Sequence, residues 1–201
     1  MTPLEFAPCA WACFDPQPPI SQHPDDLAAT HDWPAWRRAQ TLGARGLLRA
    51  LLARVAPNAA VAPLRAALGG QPRLVGWPSL GVSLSHDGGV AAVAVAIDRA
   101  VGIDVQLPPD DLSERLVQRC LRAQAPAVLK LSPSGRALEF AWIWSVQEAC
   151  VKCTGAGLAG QPWRIDVPLG AATGRWRDVG WCTLRHCSDF PISCAFGDPA
   201  C

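Results

Sequence analysis

The sequence predicts an α+β protein of two similar halves, each a helix packed on a small antiparallel sheet. Three observations carry this. A helical apolar periodicity from Ala35 to Val55 precedes strand-like runs between Gly81 and Gln106. After Pro108-Pro109 the order recurs, with helical segments up to Lys152 and strand-like runs from Trp163 to Phe196. Half of the 201 residues are hydrophobic, enough for a substantial core. The expected halves are residues 1–107 and 108–201, with no repeat at the level of residues.

The elements follow in chain order. Residues 1–32 hold six prolines, with an edge strand expected within Phe6–Phe14. Trp36, Ala39, Leu42, Leu47, Leu51 and Val55 recur at helix spacing, decorated by Arg37, Arg38, Arg45, Arg49 and Arg54. Pro57 and Pro63 interrupt, and Val61–Leu68 reads as a short helix ended by Gly69-Gly70. Gly81–His86 alternates apolar and polar, Asp87-Gly88-Gly89 turns the chain, and Val90–Ile97 is a second strand. Asp98-Arg99 turns again into Val101–Gln106, so a three-strand meander is expected beside the arginine-rich helix. Beyond Pro108, Asp111–Leu121 and Ala125–Leu131 read as short helices. Trp163–Val167, Arg175–Val179, Gly180–Cys187 and Pro191–Phe196 read as strands.

The long helix before those strands is unusual. Ser132 or Ser134 can cap its start, and Gly155 or Gly157 can end it. From Phe140 to Val146 it is apolar on nearly every side, which predicts burial between two layers. Gln147, Glu148 and Lys152 follow at once, and Trp144, Glu148 and Lys152 share one face. Glu148 and Lys152 could form an ordinary helix ion pair worth about 0.2–0.5 kcal/mol. Composition argues for more: the chain has two lysines against sixteen arginines, so a merely solvated cation would usually be arginine.

Charge and cysteine usage narrow the class. The formal net charge is +1, so the chain is no polyelectrolyte and no nucleic-acid partner is expected. Between Trp33 and His86 stand seven arginines and no acid, which suits an anionic ligand or acidic partner, or a solvated basic face. The nine cysteines are scattered. Cys150 and Cys153 have CxxC spacing but fall inside a helix with no second pair, so buried free thiols are favoured over zinc or redox use. There is no signal-peptide pattern and no run approaching the ~18 apolar residues of a membrane span, which predicts a soluble, cytoplasmic protein with no membrane partner.

Four pieces carry potential chemistry: Ser85-His86, Gly102-Ile103-Asp104-Val105-Gln106, Trp144-x-x-Gln147-Glu148, and Lys152. Separately each is weak. In order, they resemble the phosphopantetheinyl transferases, in particular the surfactin-synthetase-type members built as pseudo-dimers in one chain. That family carries Ser-His after a strand, then Gly-(Ile/Val)-Asp-x-Glu, then Trp-x-x-Lys-Glu-x-x-x-Lys on a helix. Gly70-Gln71-Pro72 stands where the family has Gly-Lys-Pro, and Arg45 matches an arginine of the N-terminal helix. The resemblance runs from about residue 35 to the C-terminus.

The resemblance implies a pseudo-two-fold fold and a reaction. The phosphopantetheine arm of coenzyme A moves onto a serine of an apo acyl or peptidyl carrier protein, releasing adenosine 3′,5′-bisphosphate. It also implies roles. Asp104, Glu148 and Gln106 would hold Mg2+, Glu148 or a water on it would take the serine proton, and Lys152 would stabilise the departing oxygen. Ser85 and His86 would bond a coenzyme A phosphate, and Arg45 with Arg37 or Arg38 would grip the 3′-phosphate. A monomer is expected, because the pseudo-dimer lies within one chain. Three departures stand out: Gln106 for the third carboxylate, Gln147 for the helix lysine, and Gln71 for the Gly-Lys-Pro lysine, with Arg73 near enough to compensate. They keep open an alternative, a non-catalytic relative that binds coenzyme A or a carrier.

Overall fold

A computed structural model describes residues 2–66 and 70–198. Two long helices lie outside two four-stranded antiparallel sheets, giving a mixed α/β fold. The first sheet contains β1 (Leu4–Ala7), β2 (Ala10–Asp15), β5 (Leu80–Asp87) and β6 (Val90–Ile97), in the order β1-β2-β6-β5. The second contains β7 (Val101–Val105), β8 (Thr173–Trp176), β9 (Val179–Thr183) and β10 (Ile192–Phe196), in the order β7-β10-β9-β8. A separate hairpin pairs β3 (Leu64–Ala66) with β4 (Pro72–Leu74).

Strand β6 shows why the sheets stack. It is Val and Ala up to its closing Ile97, and both its faces are buried from Val90 to Ala96. Ala91, Val93 and Val95 meet Leu47, Leu48, Leu51 and Leu52 of α2 (Ala35–Val55). Ala92, Ala94 and Ala96 join Ile103, Ile192 and Cys194 of the second sheet in another core cluster. Small side chains on that face let the sheets approach. On the far side, α5 (Pro133–Thr154) buries Ile143, Val146 and Cys150 against Val179, Trp181 and Ala195.

The N-terminal segment has a structural task that its composition does not reveal. The β1–β2 hairpin supplies the edge of the first sheet, where a single strand was expected. A Cβ on Gly46 would fall on the Pro19 carbonyl, so this glycine lets the 18–21 segment lie against α2. The fully buried Asp26 of α1 (Pro24–Ala29) then accepts from Ser21 Oγ at 2.6 Å, Arg49 Nε at 2.6 Å and Arg45 Nη1 at 3.0 Å. Burial works to raise Asp26, but the bonds from Arg49 and Ser21 and the charges of Arg49 and Arg45 outweigh it and hold the carboxyl below its ordinary range.

Several expectations are corrected. The three-strand meander does not form: β7 pairs with β10, from Ile192↔Val105 to Phe196↔Val101, and so joins the second sheet. Alternation within 101–106 reveals a strand but not its partner. Residues 64–66 are strand rather than helix, since Pro63 and the double glycine leave too short a run to nucleate a helix; residues 67–69 lie outside the described residues. The expected strand at 163–167 is a 3-10 turn at Pro162–Arg164 followed by irregular chain, and the Ile165 carbonyl is taken by Gln147 rather than a strand neighbour. Helix α3 runs over Glu114–Leu121, capped by Ser113, and α4 is one turn, Ala125–Val128. Cys150 and Cys153 are buried free thiols. Burial pushes the Cys150 thiol far above the ordinary thiol range and Cys153 up to about 12. No described helix is long and apolar enough to cross a membrane.

Candidate functional site

The site lies where the edges of the two sheets meet. Strands β5 and β7 run side by side, tied by side chains instead of a backbone ladder. The Ile103 N–H donates to Ser83 Oγ at 3.1 Å, and Ser85 Oγ donates to Asp104 Oδ1 at 2.7 Å. The polar positions of the Ser83-Leu84-Ser85 alternation thus stitch the seam. Ser83 was not among the expected site residues; its place in the Ser-x-Ser-His alternation is the signal that could have singled it out.

Gly102 brings the helix to the seam. A Cβ there would fall on the Ala149 carbonyl oxygen and lie 2.6 Å from the Cys153 nitrogen. Only a bare backbone lets α5 approach β7 this closely. The approach sets Lys152 against Asp104: Nζ donates to Asp104 Oδ1 at 2.7 Å and to Ser85 Oγ at 3.0 Å. Helix α5 starts on a Ser132 cap and ends at Gly155, which is left-handed at φ 68°. Gln71 reaches across from the first half, its Nε2 donating to the Lys152 carbonyl at 3.2 Å.

Two adjoining depressions share Glu148 and Lys152 as a common wall. One, of about 400 Å³, holds Ser85, His86, Asp87, Asp104 and Gln106. The other, of about 300 Å³, is lined by Gln71, Pro72, Ser83 and Leu84. A third cavity, about 420 Å³, lies between β4, β5 and the 98–100 turn; it meets this cleft at Gln71 and Pro72 but contains neither Glu148 nor Lys152.

The electrostatics are those of crowded carboxylates. Burial raises Asp104 above its usual range, Asp87 adds to the rise, and Lys152 and Ser85 pull the other way. Burial also raises Glu148, as does the charge of Asp104, against the pull of Lys152. Among the described residues no protein donor reaches the Glu148 carboxylate. Partial burial of the His86 ring and then the Lys152 charge lower the His86 pKa, although the residue as a whole is exposed at the rim. His86 is therefore neutral at pH 7, with one nitrogen able to donate.

The structure thus brings together Asp104, Gln106, Glu148, Lys152, Ser85 and His86. The arginines stand apart, and none of the three expected for the nucleotide lines the cleft among the described residues. Arg45 is engaged by Asp26, Arg37 stacks over Trp33 at 4.3 Å while its charge reaches His86, and Arg38 buries its Nε without a hydrogen-bond partner. The basic stretch is less free than its own composition suggested, because Asp25 and Asp26 just upstream pair with Arg65, Arg45 and Arg49. Gln147 is also turned away from the cleft. It is buried, and its Nε2 donates to the carbonyls of Cys120 at 3.2 Å and Ile165 at 2.9 Å.

Residues 100–194 match the family model of the 4′-phosphopantetheinyl transferase superfamily, a span that includes Asp104, Glu148 and Lys152. Over these residues, a little under half of the chain, the sequence is similar to that superfamily. No curated protein matches the chain. The match supports a phosphopantetheinyl transferase role in general, with coenzyme A and a carrier protein as the partners that the superfamily implies. Ser85 and His86 come from outside the matched span and still meet Asp104 and Lys152 at the seam.

Proposed function

We propose that this chain transfers the 4′-phosphopantetheine arm of coenzyme A to a serine of an apo acyl or peptidyl carrier protein, with magnesium, releasing adenosine 3′,5′-bisphosphate. The observation that carries the reading is Glu148. It is a carboxylate with no hydrogen-bond donor among the described residues, on a helix face that also presents Lys152, near the buried Asp104. A half-buried carboxylate without a donor is unfavourable unless a cation or a proton-bearing ligand completes it.

The donor set fits a hard cation. Asp104 Oδ2, the Glu148 oxygens and Gln106 Oε1 accept no protein hydrogen bond among the described residues. No three His, Cys, Asp or Glu side chains there form a metal-binding group. Two carboxylates and an amide oxygen, completed by substrate phosphates and water, suit magnesium, which seldom uses an all-protein cage. Bound there, the ion would neutralise charge on the pyrophosphate.

The chain's own residues supply the rest. The serine oxygen forms a bond to the pantetheine-bearing phosphorus, the bridging P–O bond breaks, and its electron pair leaves with the adenosine phosphate. Glu148, or a water it holds, takes the serine proton, as its raised pKa favours. Lys152 brings positive charge to the departing oxygen and neutral His86 offers a hydrogen bond to phosphate, whereas Ser85, expected to do the same, commits its one O–H to Asp104. Of the arginines expected for the nucleotide's 3′-phosphate, Arg37, whose charge reaches His86, is the best placed to meet it as a bidentate donor, whereas Arg45 is engaged by Asp26. A division at 107/108 into halves related by a pseudo-two-fold, as in surfactin-synthetase-type members, is supported by the matching helix-over-sheet arrangement of each half, with β7 crossing into the second sheet.

The test is intact mass. An apo carrier incubated with the chain, coenzyme A and magnesium gains the phosphopantetheine mass. If no carrier among acyl and peptidyl types gains it while coenzyme A still binds, the non-catalytic alternative favoured by Gln71, Gln106 and Gln147 replaces this reading.

A further inference from the structure

The substitution of Gln106 for a carboxylate has a counterpart across the seam. Gln106 Nε2 lies 3.1 Å from Asp87 Oδ2 and 3.1 Å from the Leu107 carbonyl oxygen. Both neighbours are acceptors, so the atom facing them must be the nitrogen; the reversed amide would set oxygen against two oxygens. The other end of the amide, Oε1, is left without a protein donor among the described residues, and Gln106 lines the depression that also holds Asp104 and Glu148.

Asp87 is itself fixed. Its Oδ2 also accepts from the Leu107 N–H at 2.7 Å. The following glycine, Gly88, has φ 53°, and a Cβ there would fall on Leu107 Cδ1. The 87–89 turn is thus fitted to the 106–107 segment, and Gln106 is held from one side by a carboxylate that is held in turn by backbone.

Building on the proposed reaction, we infer that Asp87 is a positioning residue: by holding the Gln106 nitrogen it presents the Gln106 amide oxygen to the cation, in place of a carboxylate that would need no such orientation. Outer partners of metal ligands commonly matter about 10–100-fold in affinity.

The experiment measures Mn2+ affinity by electron paramagnetic resonance of the free ion, with coenzyme A present. Asp87→Ala weakens binding about tenfold. Asp87→Ala in a Gln106→Ala background causes no further loss, because Asp87 acts through Gln106. Gln106→Glu rescues the Asp87→Ala protein to at least wild-type affinity, since a carboxylate binds in either orientation. Where Asp87→Ala fails to fold, Asp87→Ser, which keeps a turn-compatible hydroxyl, carries the same comparison. Unchanged affinity in the single variant, additive loss in the double alanine variant, or no rescue by Glu at position 106 overturns the inference. A wild-type protein that binds no Mn2+ with coenzyme A overturns the metal site itself, a separate outcome.

Discussion

Replacing Lys152 by methionine probes the centre of the seam. Methionine keeps most of the aliphatic stem but removes the ammonium that lies 2.7 Å from Asp104 Oδ1 and 3.0 Å from Ser85 Oγ. Asp104 is 6% exposed, so its carboxylate is left with Ser85 alone. Breaking a fully buried pair costs about 3–5 kcal/mol. The Lys152 side chain is 31% exposed, and solvent screening reduces the expected loss to about 2–3 kcal/mol at pH 7. For a chain of this size that is roughly 5–10 °C in Tm. The pH dependence identifies the cause. Burial already raises Asp104, and losing Lys152 raises it further. A raised carboxyl destabilises the fold above its folded pKa and ceases to do so below its unfolded value. The deficit of Lys152→Met against wild type therefore shrinks as pH falls from 7 toward the unfolded aspartate value of about 4. Urea unfolding at several pH values measures it, and Asp104→Asn in the same background recovers most of the loss at pH 7. A deficit that is independent of pH and not relieved by Asp104→Asn would refute the pairing argument.

Three further outcomes follow from the packing. Asp26→Ala leaves Arg45 and Arg49 without their buried anion and should cost about 3–5 kcal/mol in denaturant unfolding at pH 7. Because the folded Asp26 pKa is depressed, its contribution is present above the unfolded aspartate value and is lost as pH falls through the folded one, so wild type and Asp26→Ala converge in acid. Gly102→Ala forces α5 away from β7 at Ala149, at about 1–3 kcal/mol by thermal melting, and its loss of carrier modification should exceed what that destabilisation explains. Gln147→Met strips the Cys120 and Ile165 carbonyls of their donor, costing about 1–3 kcal/mol, and leaves the apparent coenzyme A affinity unchanged because the side chain faces away from the cleft.

Much of the site was legible because its chemistry is local in the chain. Glu148 and Lys152 share a helix face through their spacing, and Gly102-Ile103-Asp104 carries both the close approach and the carboxylate in three residues. The two long helices and most strands follow from periodicity for the same reason. Partnerships between distant segments were not legible. Nothing in Val101–Gln106 says that β10, about ninety residues later, would claim it rather than β6. The fate of Arg45 depended on Asp26, outside the acid-free stretch that made the arginines conspicuous. Gln147 read as a missing cation because spacing places it beside Glu148, whereas adjacent helix positions point about 100° apart, here into the core.

The central claim is that Glu148, at the seam of the two sheets, takes the serine proton as coenzyme A is cut. The most direct measurement quantifies carrier mass gain and adenosine 3′,5′-bisphosphate in the same tube, for wild type and Glu148→Gln. Wild type should yield the two products in equal amounts. Glu148→Gln, nearly isosteric, should melt no lower than wild type and lose at least about 100-fold in rate. Equal rates for the two proteins, or bisphosphate released with no mass on the carrier, would contradict the account.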